Sequence, residues 1–385
     1  MMNSIITKFR FIVFCLLSLY STALEAQVRI RIFADSAPAS ALFSVTESEY
    51  FLIIPDRKTT MIHSGESVII SKYNTGLVVK TGMDPAFICD SVHLAPKDTL
   101  ASFSLRINSE NPVRQYYKGD LKCFPDLGTI VFINISDIDS YLAGVVRAEG
   151  GYGRNMEYLK TQAIIARTYM YKYFNKHSND NYNLCDHVHC QAFSGITNDS
   201  LIIRAVKDTE GLVILDKDSS LIISAFHSCC GRETASSENV WLTAQPYLKK
   251  VVDPWCVNSR NAKWKKTLGI NEWLAYLKNY GYLTTSGETS KMNFTQTTRK
   301  YEYASGDFSI PLHKIRDDLG LRSTFFSLKV EGDSVYFDGK GYGHGAGLCQ
   351  EGAMVMAEKG FDFRQIINFY YEGVIVSDIN NEVKE

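Results

Sequence analysis

Apolar and polar positions change rhythm several times along the chain, and each rhythm predicts an element. Val28-Arg29-Ile30-Arg31-Ile32 alternates with period two, the pattern of a strand with one buried face. From there to about Tyr116 the chain reads as short strands broken by turn residues such as Pro55-Asp56 and Asn74-Thr75-Gly76, which predicts a small N-terminal β module over 27–116. Gly128 to Ile135 reads as a further strand and Asp139 to Val146 as a short helix. Between Met156 and Asn175 the apolar residues Met156, Leu159, Ala163, Ala166, Met170 and Phe174 recur at steps of three and four, giving an amphipathic helix with one core-facing stripe. Asn155 is its N-cap, and Glu157 sits in the first turn, where the helix dipole favours an acid. Leu212 to Leu215 and Leu221 to Phe226 predict a hairpin around residues 216–220. A helix from about Gln350 stops at Gly360, and Asp362 opens a last helix to Tyr371. Strands and helices mix without strict βαβ alternation, so the fold class is α+β, with residues 117–375 forming a second domain around a groove.

The N-terminus adds a processing segment. Lys8 and Arg10 precede an apolar run from Phe11 to Leu19, and Ala23-Leu24-Glu25-Ala26 supplies a cleavage site. The run is shorter than the roughly 20 apolar residues of a membrane span. A signal peptide over 1–26 is expected, with the mature chain exported to the periplasm or cell envelope and in contact with membrane only during export. The 45% hydrophobic and 12% aromatic content suffices for a packed core. With 41 basic and 42 acidic residues the net charge is -1, which offers no general attraction to nucleic acid or an anionic membrane. Of nine cysteines, Cys15 lies in the leader; the others permit disulfides in an oxidising compartment, in pairings that spacing alone does not specify.

Two side chains then stand out. Arg167 lies four residues after Ala163 and three before Met170, at the middle of the apolar stripe. A guanidinium there keeps its charge and needs a carboxylate or several acceptors, so it either makes a structural ion pair or holds a catalytic acid or a sugar oxygen. The acid just upstream is Glu149, where an apolar helical segment meets Gly150-Gly151. Such a turn desolvates a carboxyl and raises its pKa, while the glycines let a ligand approach.

Longer motifs give these residues a context. Tyr141-Leu142-Ala143-Gly144-Val145-Val146-Arg147-Ala148-Glu149 is followed by Tyr158-Leu159-Lys160-Thr161-Gln162-Ala163-Ile164-Ile165-Ala166-Arg167-Thr168-Tyr169, and then by Cys185-Asp186-His187-Val188-His189-Cys190-Gln191-Ala192-Phe193. After these come Phe226-His227-Ser228-Cys229-Cys230-Gly231, Val240-Trp241 with Pro246-Tyr247-Leu248, and Gly341-Tyr342-Gly343-His344-Gly345-Ala346-Gly347-Leu348-Cys349-Gln350-Glu351-Gly352-Ala353. In this order and over roughly residues 117–373, the chain resembles the SpoIID/LytB family. The resemblance implies a peptidoglycan lytic transglycosylase needing no organic cofactor, with Glu149 and Arg167 catalytic, and with Tyr247, His227, Ser228, His344 and Gln350 along a glycan-binding groove. Other members are amidase enhancers, so the alternative is a non-catalytic wall-binding protein that activates an N-acetylmuramoyl-L-alanine amidase. The partners expected are peptidoglycan glycan strands and, on the second reading, a cell-wall amidase. Departures from the family pattern occur at Gly231-Arg232 and at Gly150-Gly151-Tyr152-Gly153.

A transglycosylase manages with one carboxylate, because the muramic C6 hydroxyl attacks its own anomeric carbon while the acid protonates the leaving oxygen. A glycoside hydrolase wants a second carboxylate, about 5 Å away as nucleophile or farther off as base. Asp186 is the nearest second acid in the motifs, set against a plain turn or cap role. The Cys185 to Cys190 segment has two readings. In one, Cys185, His187, His189 and Cys190 hold a structural zinc, with His177 as an alternative ligand, as the resemblance to some clostridial members implies; in the other, Cys185 and Cys190 form a disulfide or stay buried thiols. Gly339-Lys340-Gly341-Tyr342-Gly343 superficially suggests a nucleotide loop, but no Gly-Lys-Ser/Thr follows.

Overall fold

The computed structural model describes residues 27–382 apart from 83, 110–111, 151–153 and 284–288. The expected signal peptide and the Gly151-Tyr152-Gly153 departure lie outside these residues. The architecture is α+β, and the chain divides into two compact units: Met1–Tyr141 with Ser178–Asp186, and Leu142–His177 with His187–Glu385.

The first unit is built from strands. Gln27–Ile32 pairs antiparallel with Thr129–Asp137, which pairs with Asp120–Asp126, which pairs in turn with Val92–Pro96; Tyr50–Ile53 and Thr60–Ile62 extend the sheet. Val28, Ile30 and Ile32 are buried while Gln27 and Arg29 face water, as the alternation predicts. Leu184–Cys185 adds to the free side of Gln27–Ile32 in parallel. A six-stranded antiparallel sheet runs Arg114–Lys118, Ser102–Ile107, Ser40–Glu47, Ser67–Tyr73, Gly76–Thr81 and Phe87–Cys89. The two sheets meet through aromatic rings, Tyr50 standing edge-on to Phe43 and Phe103 at 5.3 and 5.6 Å. The module expected over 27–116 is therefore longer. Strands 120–126 and 129–137 belong to it because their ladder partners are residues 27–32 and 92–96.

α1 (Ile138–Glu149) ends in the second unit at the expected acid, and α2 (Met156–Lys172) begins at Asn155, whose side chain accepts from the Glu157 amide at 2.9 Å. The stripe residues Leu159, Ala163, Ala166 and Met170 are buried, but so are Tyr158, Gln162, Ile164, Ile165 and Thr168. α2 is thus a central helix covered on most of its faces, against α3 (Ser200–Asp208) and two helices near the C-terminus. The expected hairpin over 212–226 closes as a turn, with the Asp216 amide donating to Ser220 O at 2.9 Å, yet forms no ladder beyond a Leu215–Leu221 bridge. Leu212–Leu215 pairs instead with Ile375–Asp378, and Phe226–His227 lies parallel to Leu348–Cys349. Next come α4 (Glu238–Trp241), α5 (Ile270–Asn279) and α6 (Leu312–Asp318). With the sheet 263–269, 334–340 and 326–331, the last two enclose a subsidiary core around Trp273, Tyr303 and Phe337. α7 (Gln350–Glu358) and α8 (Phe363–Tyr370) follow, α8 closed by a capping box of Asp362 and Gln365.

Candidate functional site

Glu149 is held from three directions. Along α1, Gly144 lets the helix touch the 193–195 segment: a Cβ there would stand 2.4 Å from Gly195 O and 2.5 Å from the Phe193 ring. That approach carries the Ala192 amide to Glu149 Oε1 at 2.7 Å. From the far end of the unit, the Gln350 side-chain amide donates to the Glu149 carbonyl oxygen at 2.6 Å, and the Tyr158 hydroxyl donates to Gly150 O at 3.0 Å. Burial pushes the Glu149 carboxyl above the usual carboxylate range, against the Ala192 N–H, which favours the ionised form. A raised pKa moves a carboxyl toward the range in which a general acid works.

It opens into a cleft of about 1000 Å³ lined by His227, Ser228, His344 and Gln350 as expected from the sequence, and by side chains that the motifs did not single out as site residues, among them Trp241, Tyr342, Tyr169 and Arg316. Glu149 is the only carboxylate among the described lining residues. His227 Nδ1 lies 3.1 Å from Ala346 O and so carries the proton, leaving Nε2 an acceptor that is buried with no hydrogen-bond partner among the described residues. His344 stands beside it, ring centroids 5.6 Å apart, and accepts from the Ala346 amide through Nδ1 at 3.1 Å. Burial lowers both imidazoles, His344 to about 4, so both are neutral at neutral pH. Trp241, 44% exposed, lies against His344 with centroids 5.2 Å apart and shows the cleft a flat apolar face.

Two expected site residues have other positions. The Arg167 guanidinium is buried, and it donates through Nη1 to the carbonyl oxygens of Thr209 at 2.6 Å and Leu212 at 3.3 Å and through Nη2 to that of Val206 at 3.1 Å. It satisfies carbonyls at the C-terminal end of α3 and at the start of the strand Leu212–Leu215, and is not among the described cleft-lining residues. These carbonyl acceptors are a solution that the apolar stripe does not reveal. Tyr247 is also buried and outside the described lining; its hydroxyl accepts from the Ile223 amide at 3.0 Å, bracing a wall residue from behind.

The cysteine–histidine segment is likewise revised. Cys190 Sγ lies 3.5 Å from His177 Nε2 and 3.9 Å from His189 Nδ1, and His187 is not in this group of close donors. The donor set gathered here therefore contains His177 rather than His187, because the end of α2 brings His177 to the loop. Cys185 ends the strand that pairs with Gln27–Ile32 in the first unit. Asp186, weighed as a second acid, accepts from the amides of Phe33 and Ala34 in that same unit, which is the turn-capping role.

Comparison with known proteins gives one family model, described as stage II sporulation protein, matching residues 127–215. An uncharacterised protein of Brachyspira hyodysenteriae is 31% identical over 274 residues, covering 70% of this chain and 74% of its own. Stage II sporulation protein D of Bacillus subtilis is 29% identical over 260 residues, covering 63% of this chain and 74% of that protein. The amidase enhancer of Bacillus subtilis is 26% identical over 289 residues, covering 61% of this chain and 40% of that protein.

Proposed function

The chain belongs to the SpoIID/LytB domain family, and from that premise we propose that it is an exported lytic transglycosylase of peptidoglycan with Glu149 as its acid. The observation that carries the reading is the single carboxylate among the described residues of the cleft, its pKa raised by burial. Protonated Glu149 gives its proton to the oxygen between MurNAc and GlcNAc as the C1–O bond breaks. The muramic C6 hydroxyl forms the new bond to C1, its proton passes to the Glu149 carboxylate, and the product ends in 1,6-anhydro-MurNAc. No second acid is needed, in contrast to a two-carboxylate hydrolase. Trp241 and Tyr342 offer ring faces to sugars. Arg167 acts as a positioning residue through α3. His177, His189 and Cys190 suit three donors of a structural zinc at the rim.

Similarity to an amidase enhancer favours a second reading: the cleft binds wall glycan while the protein activates an amidase, with no proton transfer at Glu149. Mass spectrometry of wall glycan, intact and stripped of peptides, after incubation with the wild type and Glu149→Gln separates the two. Anhydro ends made by the wild type and absent with the variant support the transglycosylase. No cleavage by either, together with faster peptide release by an added amidase, supports the second reading.

A further inference from the structure

Away from the cleft floor, three distant stretches of the second unit bring four cysteines and an aspartate to one buried point. Cys229 and Cys230 follow the strand Phe226–His227, Asp253 and Cys256 come from the loop before the three-stranded sheet, and Cys349 is the N-cap of α7. The ligand atoms of Cys230, Asp253, Cys256 and Cys349 all lie within 4.8 Å of one another. Cys230 Sγ stands 3.3 Å from Cys256 Sγ and 3.2 Å from Asp253 Oδ2. Neither Cys229, Cys230, Cys256 nor Cys349 is in a disulfide.

We propose that Cys230, Cys256 and Cys349, with Asp253 in the fourth position, form a second structural zinc site, separate from the Cys190 loop. Three observations favour a metal over a pair of disulfides. First, the spacing is that of one ion: tetrahedral Zn–S bonds of about 2.3 Å put sulfurs roughly 3.8 Å apart, and an iron–sulfur cluster would hold them much farther apart.

Second, backbone amides point at the sulfurs, from Cys230 to Cys349 Sγ at 3.2 Å, from Arg232 to Cys256 Sγ at 3.3 Å and from Gly352 to Cys349 Sγ at 3.4 Å. Such donors favour thiolates and orient them as outer partners of a metal do; a disulfide gains little from them. Third, a carboxylate has no part in a disulfide, yet room is made for this one. A Cβ at Gly352 would stand 2.3 Å from Asp253 Oδ2, which also accepts from the Tyr370 hydroxyl at 3.0 Å.

Charge points the same way. A dication with three thiolates and a carboxylate leaves two negative charges, and the buried Arg299 guanidinium, donating to Cys230 O at 2.7 Å, offsets one of them. Because Ser228 and Gln350 in the cleft wall are within two residues of ligands, the metal would clip that wall together.

The test uses the full chain with His177→Ala and Cys190→Ser, which remove loop donors. Elemental mass spectrometry should find about one zinc per chain. Cobalt loading should give sulfur-to-metal charge transfer with tetrahedral d–d bands, and adding Cys256→Ser should abolish both. Should that variant not fold, Cys256→His keeps a ligand: metal should stay and the charge-transfer band should weaken, and an unchanged band overturns the assignment. Equally decisive against it would be a loop variant without zinc or cobalt bands whose unfolded mass is short by two hydrogens per cystine, since the sulfurs would then be disulfides.

Discussion

The Gln350 side-chain amide donates to the main-chain oxygen of Glu149 at 2.6 Å, across 201 residues of sequence. The first residue of α7 thereby fixes the last residue of α1, and with it the direction in which the carboxyl leaves the helix. Gln350→Ala should lower glycan cleavage by roughly one to two orders of magnitude in kcat with KM little changed, because a misaligned acid costs rate rather than binding. Steady-state kinetics on a defined glycan checks this; a rise in KM alone would mean that Gln350 binds substrate.

Glu149→Gln should cut cleavage by about 10²- to 10⁴-fold while making the protein more stable at neutral pH. The sign follows from burial, which raises the folded-state pKa of Glu149. The folded protein holds the proton more tightly than the unfolded chain, so stability is lost as pH rises through that pKa. The Tm advantage of the variant should therefore shrink at pH values below the ordinary carboxylate range, as thermal melts across pH will show.

The same carboxyl sets the pH profile. A general acid must be protonated, so kcat/KM should fall as pH rises through the elevated Glu149 pKa. The Ala192 N–H stabilises the ionised form, so Ala192→Pro, which removes it, should move that falling limb to higher pH. A limb that stays in place would assign it to another group.

Arg167→Met should destabilise the protein by roughly 2–4 kcal/mol, since several buried carbonyls lose their donor, and Arg167→Lys should recover little because one ammonium cannot replace the fork. Denaturant melts measure the loss. An unchanged melt with a large fall in kcat would return Arg167 to the chemistry.

Trp241→Ala should raise KM about fivefold, equivalent to about 1 kcal/mol of lost ring contact, with kcat affected less. Binding of peptide-free glycan, followed by intrinsic fluorescence or calorimetry, reports the same change.

Local signals in the chain suffice where the deciding partner is close in sequence. Asn155 and Asp362 cap helices through atoms two or three residues away, and the Val28 to Ile32 alternation reflects a sheet with one dry face. Glu149, His227, Ser228, His344 and Gln350, which the motifs single out, lie along one cleft. What stayed hidden depends on distant partners. Strands 120–137 looked like part of the second domain because nothing local says that they pair with residues 27–32 and 92–96. Residues 212–215 looked like half of a hairpin although Ile375–Asp378 completes their ladder. The buried position of Arg167 was legible, but its acceptors, 39 to 45 residues on, were not. Cys230, Cys256 and Cys349 resemble unrelated thiols until the fold gathers them.

Phe226–His227 lies parallel to Leu348–Cys349, and His227 reaches Ala346 across 119 residues. A chain emerging N-terminus first carries Glu149 long before it carries Gln350, so the acid spends that interval without that partner and without a finished cleft. Loop closure over such a span comes late in folding. Maturation thus acts as a timer: a half-delivered chain presents no finished groove, and a truncation before Gly341 should be inert for want of architecture rather than of its carboxyl.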